Sequence, residues 1–342
     1  MADRSTTTLR TLLDATLVGV VRHPDRERAA AIFGGVLEAG LRAVEVTANT
    51  PGCFDLVRAH AERAARAQIA LGVGTVRTPA EVQAAAEAGA DFIVSPHTDP
   101  ALIGQAKALG LVTIPGALTP TEILTAVAAG ADVVKVFPVS AVGGPRYIQL
   151  LRGPLPEVPL WVSGDVKLDE IPAFLAAGVQ LLGLTSALAP PPHAEDPRGD
   201  ARARAGAALE ALSRAREGAP LLTLRVGNRA VDIGLKELRR LPGSAHTTLE
   251  AVVPGRRGHA VRMGALLRSA LVPEDATLRL VSRDGFARTL PAQALYAGGL
   301  LHWASDGHPL TAADGGPLRL YIVGGQDQCD NVKGLSEIAV VP

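Results

Sequence analysis

Two ionisable side chains stand where a packed core would exclude them. Lys135 interrupts the apolar run "ADVVKVFPVS" (131–140), with Val133, Val134, Val136 and Phe137 around it, and lysine is rarely buried without a partner or a task. Glu45 sits in the same way in "AVEVTANT" (43–50). Strand alternation puts Glu45 and Thr47 on one face and Val44 and Val46 on the other, while Lys135 shares a face with Val133 and Phe137. If the four valines flanking the two charges meet helices, the acid and the amine face one common interior. Two roles are open to the pair. One is a buried ion pair that holds the packing. The other is chemistry: burial disfavours the ammonium form, and a neutral amine can attack a ketone and form an iminium that stores an electron pair when a carbon–carbon bond breaks. A neighbouring carboxyl would then carry the protons.

Such a pair needs a frame that brings distant strands together, and the sequence announces one by repetition. The phrases "EAGL" (38–41), "EAGAD" (87–91), "ALGL" (108–111), "AAGAD" (128–132) and "AAGV" (176–179) recur at one or two lengths of a compact βα unit. Each reads as an alanine-rich helix, a glycine in the left-handed cap position and a following strand. The strands are the short apolar runs 17–22, 41–47, 69–75, 91–95, 111–115, 132–138, 160–163 and 181–184, as expected for strands buried on both faces. "TPAE" (78–81) and "TPTE" (119–122) each offer a threonine cap, a proline at the first helical position and a glutamate at the third. Strand–helix units repeated in this way predict an α/β fold, a (β/α)₈ TIM barrel over residues 1–217. An open doubly wound sheet is the alternative, but no glycine-rich dinucleotide fingerprint follows an early strand.

Catalytic residues of a barrel lie at the C-terminal ends of its strands. There the chain places Arg22, Glu45, Thr47, Asn49, Thr75, Pro96, Lys135, Ser163, Gly164, Asp165, Thr185 and Ser186. Overall composition narrows the partners. The chain has 342 residues, with 34 basic and 34 acidic side chains, so the formal charge is zero. That removes the electrostatic case for nucleic acid or an anionic membrane surface. No apolar run approaches membrane-spanning length, and charges at Asp3, Arg4, Arg10 and Asp14 break up any leader-like stretch, which makes a cytoplasmic protein the expectation. The two cysteines, Cys53 and Cys329, form neither a disulfide framework nor a metal motif, and the histidines lack ligand spacing.

At these positions the chain resembles the class I aldolases that cleave 2-keto-3-deoxy-6-phosphogluconate or 2-keto-3-deoxy-6-phosphogalactonate. "VEVT", "GVGTV", "SPH", "IPG" and "VKVFP" are similar, in order, to that family's glutamate strand, Gly-x-Gly-Thr turn, Ser/Thr-Pro turn, fifth strand end and Schiff-base strand. The resemblance covers most of residues 15–190. It implies a metal-free and cofactor-free barrel, usually a trimer, that releases pyruvate and glyceraldehyde 3-phosphate from a 6-phosphorylated sugar acid. Lys135 would be the Schiff-base lysine and Glu45 the general acid/base, with Thr75 and Pro96 at the pyruvate end. Arg22, "EVTANTP" with Asn49, and "GGPRYIQLL" look closer to the galactonate branch. The family's phosphate cradle uses a Gly-Gly turn and a Gly-Ser turn, where this chain has Ser163-Gly164-Asp165 and Leu184-Thr185-Ser186. An aspartate there either repels a phosphate or turns outward to cap the helix that follows.

A proline-rich stretch, "APPPHAEDPRGD" (189–200), reads as a surface loop before a last barrel helix at about 201–216. From residue 221 the texture changes to short strands and turns, which predicts a smaller mostly-β domain over 221–342. Part of it resembles a shortened molybdopterin-binding domain of the sulfite-oxidase type. That family's metal-binding cysteine would fall in the strand "TTLEAVV", which has none, and Cys329 lies far along the chain, so the domain reads as redox-silent. Asn331 and Lys333 could touch an anion, but read more simply as part of a solvated loop. His246, His259, His302 and His308 read as surface or packing residues. Three functions compete: a pyruvate-forming aldolase for a phosphorylated 2-keto-3-deoxy acid, the same enzyme for a non-phosphorylated one, and a non-catalytic protein whose C-terminal domain holds a pterin-like ligand or a protein partner.

Overall fold

Each apolar run forms a strand a little shorter than the run itself. In the computed structural model, which describes residues 4–218, 220–253, 256–305, 308–310, 316–323 and 331–341, the first unit carries β1 (Leu17–Val21), β2 (Ala43–Thr47), β3 (Ala70–Gly74), β4 (Phe92–Val94), β5 (Val112–Ile114), β6 (Gly116–Ala117), β7 (Val134–Val136), β8 (Leu160–Val162) and β9 (Leu181–Leu184). They form one parallel sheet in the order β5-β4-β3-β2-β1-β9-β8-β7-β6. Its two ends are halves of a single segment. Pro115, which has no N–H to donate, separates β5 from β6. β5 pairs with β4 and β6 with β7, and the amides of Val133 and Lys135 donate to the carbonyls of Thr113 and Pro115. The sheet is therefore a nearly closed TIM-like barrel whose fifth strand is split.

Two apolar layers follow from strand alternation. Val44, Val46, Val134 and Val136 pack outward among helix residues such as Ile32, Phe33, Val57 and Ile123. Val18, Val20, Ala43, Ala70, Phe92, Val94, Val112, Val133, Trp161 and Leu181 fill the interior together with Leu12. Leu12 belongs to α1 (Arg4–Ala15), a helix for which the sequence reading had no element. Leu9, Leu12 and Leu13 pack against the beginnings of the strands, and a fully buried leucine of this kind contributes about 2 kcal/mol.

The helices begin and end as their local sequence dictates. Thr78 and Thr119 form reciprocal capping boxes with Glu81 and Glu122, and Gly40, Gly89, Gly110, Gly130 and Gly178 all take positive φ after a helix. One boundary differs from expectation. The last barrel helix, Pro197–Gly218, begins inside the stretch read as a loop. Asp196 accepts from the Gly199 amide at 2.9 Å and Pro197 opens the helix, so the cap lies four residues earlier.

The second unit spans Arg216–Pro342. It holds two mainly antiparallel sheets, one built around Thr277–Ser282 and Leu335–Val341, the other around His259–Arg262 and Gly299–Ser305. "TTLEAVV" is not a full strand: pairing ends at Thr248, and Leu249–Ala251 turns into a 3₁₀ helix. Cys329 and the side chain of His308 lie outside the described residues.

Candidate active site

Lys135 and Glu45 are carried on the inward faces of β7 and β2. Lys135 is 6 % exposed and Glu45 is 1 % exposed. Neither carboxylate oxygen of Glu45 has a hydrogen-bond partner among the described residues, so the two do not form the direct ion pair that a purely structural role requires. The surroundings of Lys135 are aromatic: its Nζ lies 5.1 Å from the Phe137 ring centroid and 5.9 Å from that of Trp161. Space for the acid comes from Gly74, where a Cβ would stand 2.5 Å from Glu45 Oε1.

Burial governs the ionisation of both groups. It holds the Lys135 amine below the ordinary lysine range; the Glu45 charge pulls it back up and Arg22 pushes it down. Burial pushes the Glu45 carboxyl above the usual carboxylate range, against the opposing pull of Lys135 and then Arg22. A lysine and a carboxyl whose ionisations are driven toward each other are suited to proton transfer.

The other predicted residues divide into three groups. Arg22 and Thr75 join: Arg22 Nη2 donates to Thr75 Oγ1 at 3.0 Å, and Thr75 holds φ at 57°, an uncommon conformation for a β-branched residue. Pro96 lies beside the barrel wall, close enough to Gly116 that a Cβ there would meet its backbone at 2.4 Å. Ser163, buried, and half-buried Gly164 and Thr185 occupy the ends of β8 and β9 with Ser186. Asn49 is exposed on the turn after β2, on a surface depression lined by residues 48–55 that includes neither Lys135 nor Glu45.

Asp165 does not cap the next helical turn. That turn, Leu168–Glu170, is closed by Glu170 accepting from the Lys167 amide at 3.0 Å. Asp165 Oδ1 instead accepts from Ser186 Oγ at 2.8 Å. The sequence reading also gave Trp161 no part in the lysine's environment, although the alternation of "LWVS" places it inward with Ser163. Cys53 is chemically quiet: its Sγ donates to the Val46 carbonyl at 3.3 Å, and burial first, then the charges of Glu45 and Glu81, push the thiol up to about 12. Among the described residues no group of three potential metal-ligating side chains occurs, and no helix is long and apolar enough to cross a membrane.

Comparison with known proteins converges on this half of the chain. A probable 2-dehydro-3-deoxy-6-phosphogalactonate aldolase of Rhizobium meliloti (strain 1021) is 36 % identical over 200 residues, 58 % of this chain and 92 % of the relative. A 2-dehydro-3-deoxy-6-phosphogalactonate aldolase of Escherichia coli (strain K12) is 35 % identical over 177 residues, 50 % of this chain and 83 % of the relative. A solved structure described as native KDPGal superposes with a TM-score of 0.54 at 31 % identity, covering 58 % of this chain and 95 % of that one. Residues 9–197 match the family described as "Aldolase: KDPG and KHG aldolase". Fold, relatives and family match agree, and the chain belongs to the KDPG and KHG aldolase family and is by that membership a lyase.

Proposed function

We propose that the barrel is a Schiff-base aldolase that cleaves a 2-keto-3-deoxy sugar acid to pyruvate and an aldehyde, with Lys135 as the nucleophile and Glu45 as the proton carrier. The observation that carries this reading is a lysine 6 % exposed and flanked by aromatic rings, facing a buried carboxyl that it does not neutralise by contact. The neutral amine of Lys135 adds to the C2 ketone. Protonated Glu45 delivers a proton to the carbinolamine hydroxyl, which leaves as water and gives the iminium. Glu45, now a carboxylate, takes the proton of the C4 hydroxyl. The C3–C4 bond breaks, its electron pair passes into the iminium to form an enamine, and the aldehyde departs. Protonation at C3 and hydrolysis return the amine and release pyruvate. In this reading Arg22 and Thr75, joined by a hydrogen bond at the strand ends, orient the substrate's polar groups, and Pro96 borders the pyruvate end.

The names of the relatives favour a galactonate-type acid carrying a 6-phosphate, cleaved to glyceraldehyde 3-phosphate. The Asp165–Ser186 hydrogen bond favours a second reading, in which the terminal hydroxyl is free. Incubation with pyruvate and borohydride tests the core of the proposal: a reduced pyruvyl adduct is expected on Lys135, and an unmodified protein would overturn it.

For the second unit we propose a binding or assembly role without redox chemistry. Support comes from the residues Thr247–Val253, which contain no cysteine where the resembling family has its metal ligand. A homo-oligomer, trimeric by resemblance, is expected for the barrel. The solution mass and the molybdenum content of one sample from a molybdenum-replete host test both; stoichiometric molybdenum or a monomer would refute the corresponding part.

A further inference from the structure

Barrel enzymes that bind phosphorylated substrates build the phosphate site from the loops after the seventh and eighth strands. Here those strands are β8 and β9, and their loops are already joined. Ser186 Oγ, after β9, donates to Asp165 Oδ1, after β8, at 2.8 Å. The turn that presents Asp165 has little freedom: Gly164 has φ +105°, and a Cβ on it would meet Pro138 Cα at 3.0 Å. Asp165 itself holds φ 56°. Aspartate tolerates that region better than most residues, but glycine occupies it at no steric cost. A carboxylate has thus been kept at a position whose backbone suits glycine.

We propose that the Asp165 carboxylate, hydrogen-bonded to Ser186 across the ends of β8 and β9, sets substrate choice at the terminal end of the sugar acid, favouring a free hydroxyl over a phosphate. The proposal rests on the aldolase reading above. Its physical basis is twofold. Ser186, the one side-chain hydroxyl of this pair of loops engaged in a described hydrogen bond, spends its proton on Asp165 and cannot give it to a phosphate oxygen. The carboxylate also brings a negative charge to the place where a phosphate would bring a second one, and no ion pair offsets Asp165 among the described residues. A substrate hydroxyl has the opposite relation to the same group: it donates to the carboxylate, with Oδ2 as the acceptor that Ser186 does not use. Thr185 on the same loop adds a hydroxyl that can serve either ligand, so it does not decide between them.

The test compares kcat/KM for a 2-keto-3-deoxy hexonate and its 6-phosphate in the full-length wild type, Asp165→Gly and Asp165→Asn. Wild type is expected to prefer the non-phosphorylated acid. Asp165→Gly, which suits the backbone and frees Ser186, should move the ratio toward the phosphate by about tenfold or more, the scale of a solvent-screened like-charge contact. Asp165→Asn, which removes the charge and keeps an acceptor for Ser186, should move it the same way by less. A second readout does not depend on turnover: inorganic phosphate should raise the unfolding temperature of Asp165→Gly and leave that of wild type unchanged. A substrate ratio unchanged in both variants, or equal stabilisation of wild type and Asp165→Gly by phosphate, overturns the assignment and leaves Asp165 as a turn residue. Failure of the parent reading looks different, because it abolishes the pyruvate adduct on Lys135 in wild type and in both variants alike, whereas the phosphate-binding difference would persist.

Discussion

The barrel carries two acidic groups at its strand ends, and they are treated in opposite ways. Glu45 is buried with both oxygens unpartnered, opposite a buried amine. Asp165 is exposed, and its carboxylate is engaged by a serine hydroxyl. An unpaired buried carboxyl costs free energy, and a fold retains one where its proton is needed. An exposed carboxylate costs little, and a hydrogen bond fixes where its charge points. On the proposed function, the difference separates a reacting end, where burial perturbs ionisation, from a recognising end, where a hydrogen bond holds the geometry.

The largest effects should arise at the reacting end. Lys135→Met should lose roughly 10⁴ or more in turnover and all borohydride-trapped pyruvate, as expected when a nucleophile is removed. Glu45→Gln keeps the shape and removes the proton carrier, so it should lose about 10² to 10⁴ in rate and still form a slow adduct. An adduct persisting in Lys135→Met, or full turnover in Glu45→Gln, would break the contrast between the two ends.

How much of this was readable in the sequence depended on how local the determinant is. The strands were legible because burial on both faces leaves almost nothing polar in them, and Lys135 and Glu45 stood out against that background. The threonine–glutamate boxes at Thr78 and Thr119 were legible because a cap is made within four residues. α1 was not, because "RSTTTLR" is polar and only Leu12 and its neighbours reveal a buried side. The split of the fifth strand depends on how β4 and β7 share one segment, which no short window contains. The room for Glu45 depends on Gly74 in the next strand, and the bond from Ser186 to Asp165 spans two loops. Neither has a local signature, so the sequence left Asp165 two orientations, and the structure excludes the helix-capping one, because the carboxylate is joined to a neighbouring loop instead.

The pH dependence sharpens the comparison with smaller effects. Imine formation needs the neutral amine, so its rate should rise with pH through the Lys135 ionisation, which lies below the usual 10.5. Glu45 raises that ionisation and Arg22 lowers it. The rising limb should therefore move to lower pH in Glu45→Gln and to higher pH in Arg22→Gln. Asp165→Asn, at the recognising end, should leave it in place. Cyanoborohydride trapping of pyruvate across the pH range reads this directly; a shift of equal sign in the first two variants would show that the limb belongs to another group.

The smallest effect is on stability, and its sign is the most diagnostic. Lys135 has its folded ionisation depressed by burial. Above the unfolded value both states are neutral and the lysine costs nothing electrostatically. As pH falls from there to the folded value, the unfolded chain takes up a proton that the folded chain resists, so stability declines; below the folded value the deficit is constant. Lys135→Met removes the deficit and keeps an unbranched side chain of similar length among Phe137 and Trp161. At pH 7 the variant should be more stable than wild type by about 1 kcal/mol, in line with the replacement of buried charge by apolar volume, or roughly 2–4 °C in unfolding temperature for a unit of this size. The advantage should shrink as pH rises toward the ordinary lysine value of 10.5 and vanish above it, where the unfolded chain also has a neutral lysine. Asp165→Gly, which leaves the buried amine of Lys135 in place, should show no such pH-dependent gain over that range. A Lys135→Met variant less stable than wild type at pH 7 would make the lysine a packing group, and the separation of reacting from recognising end would lose its physical basis.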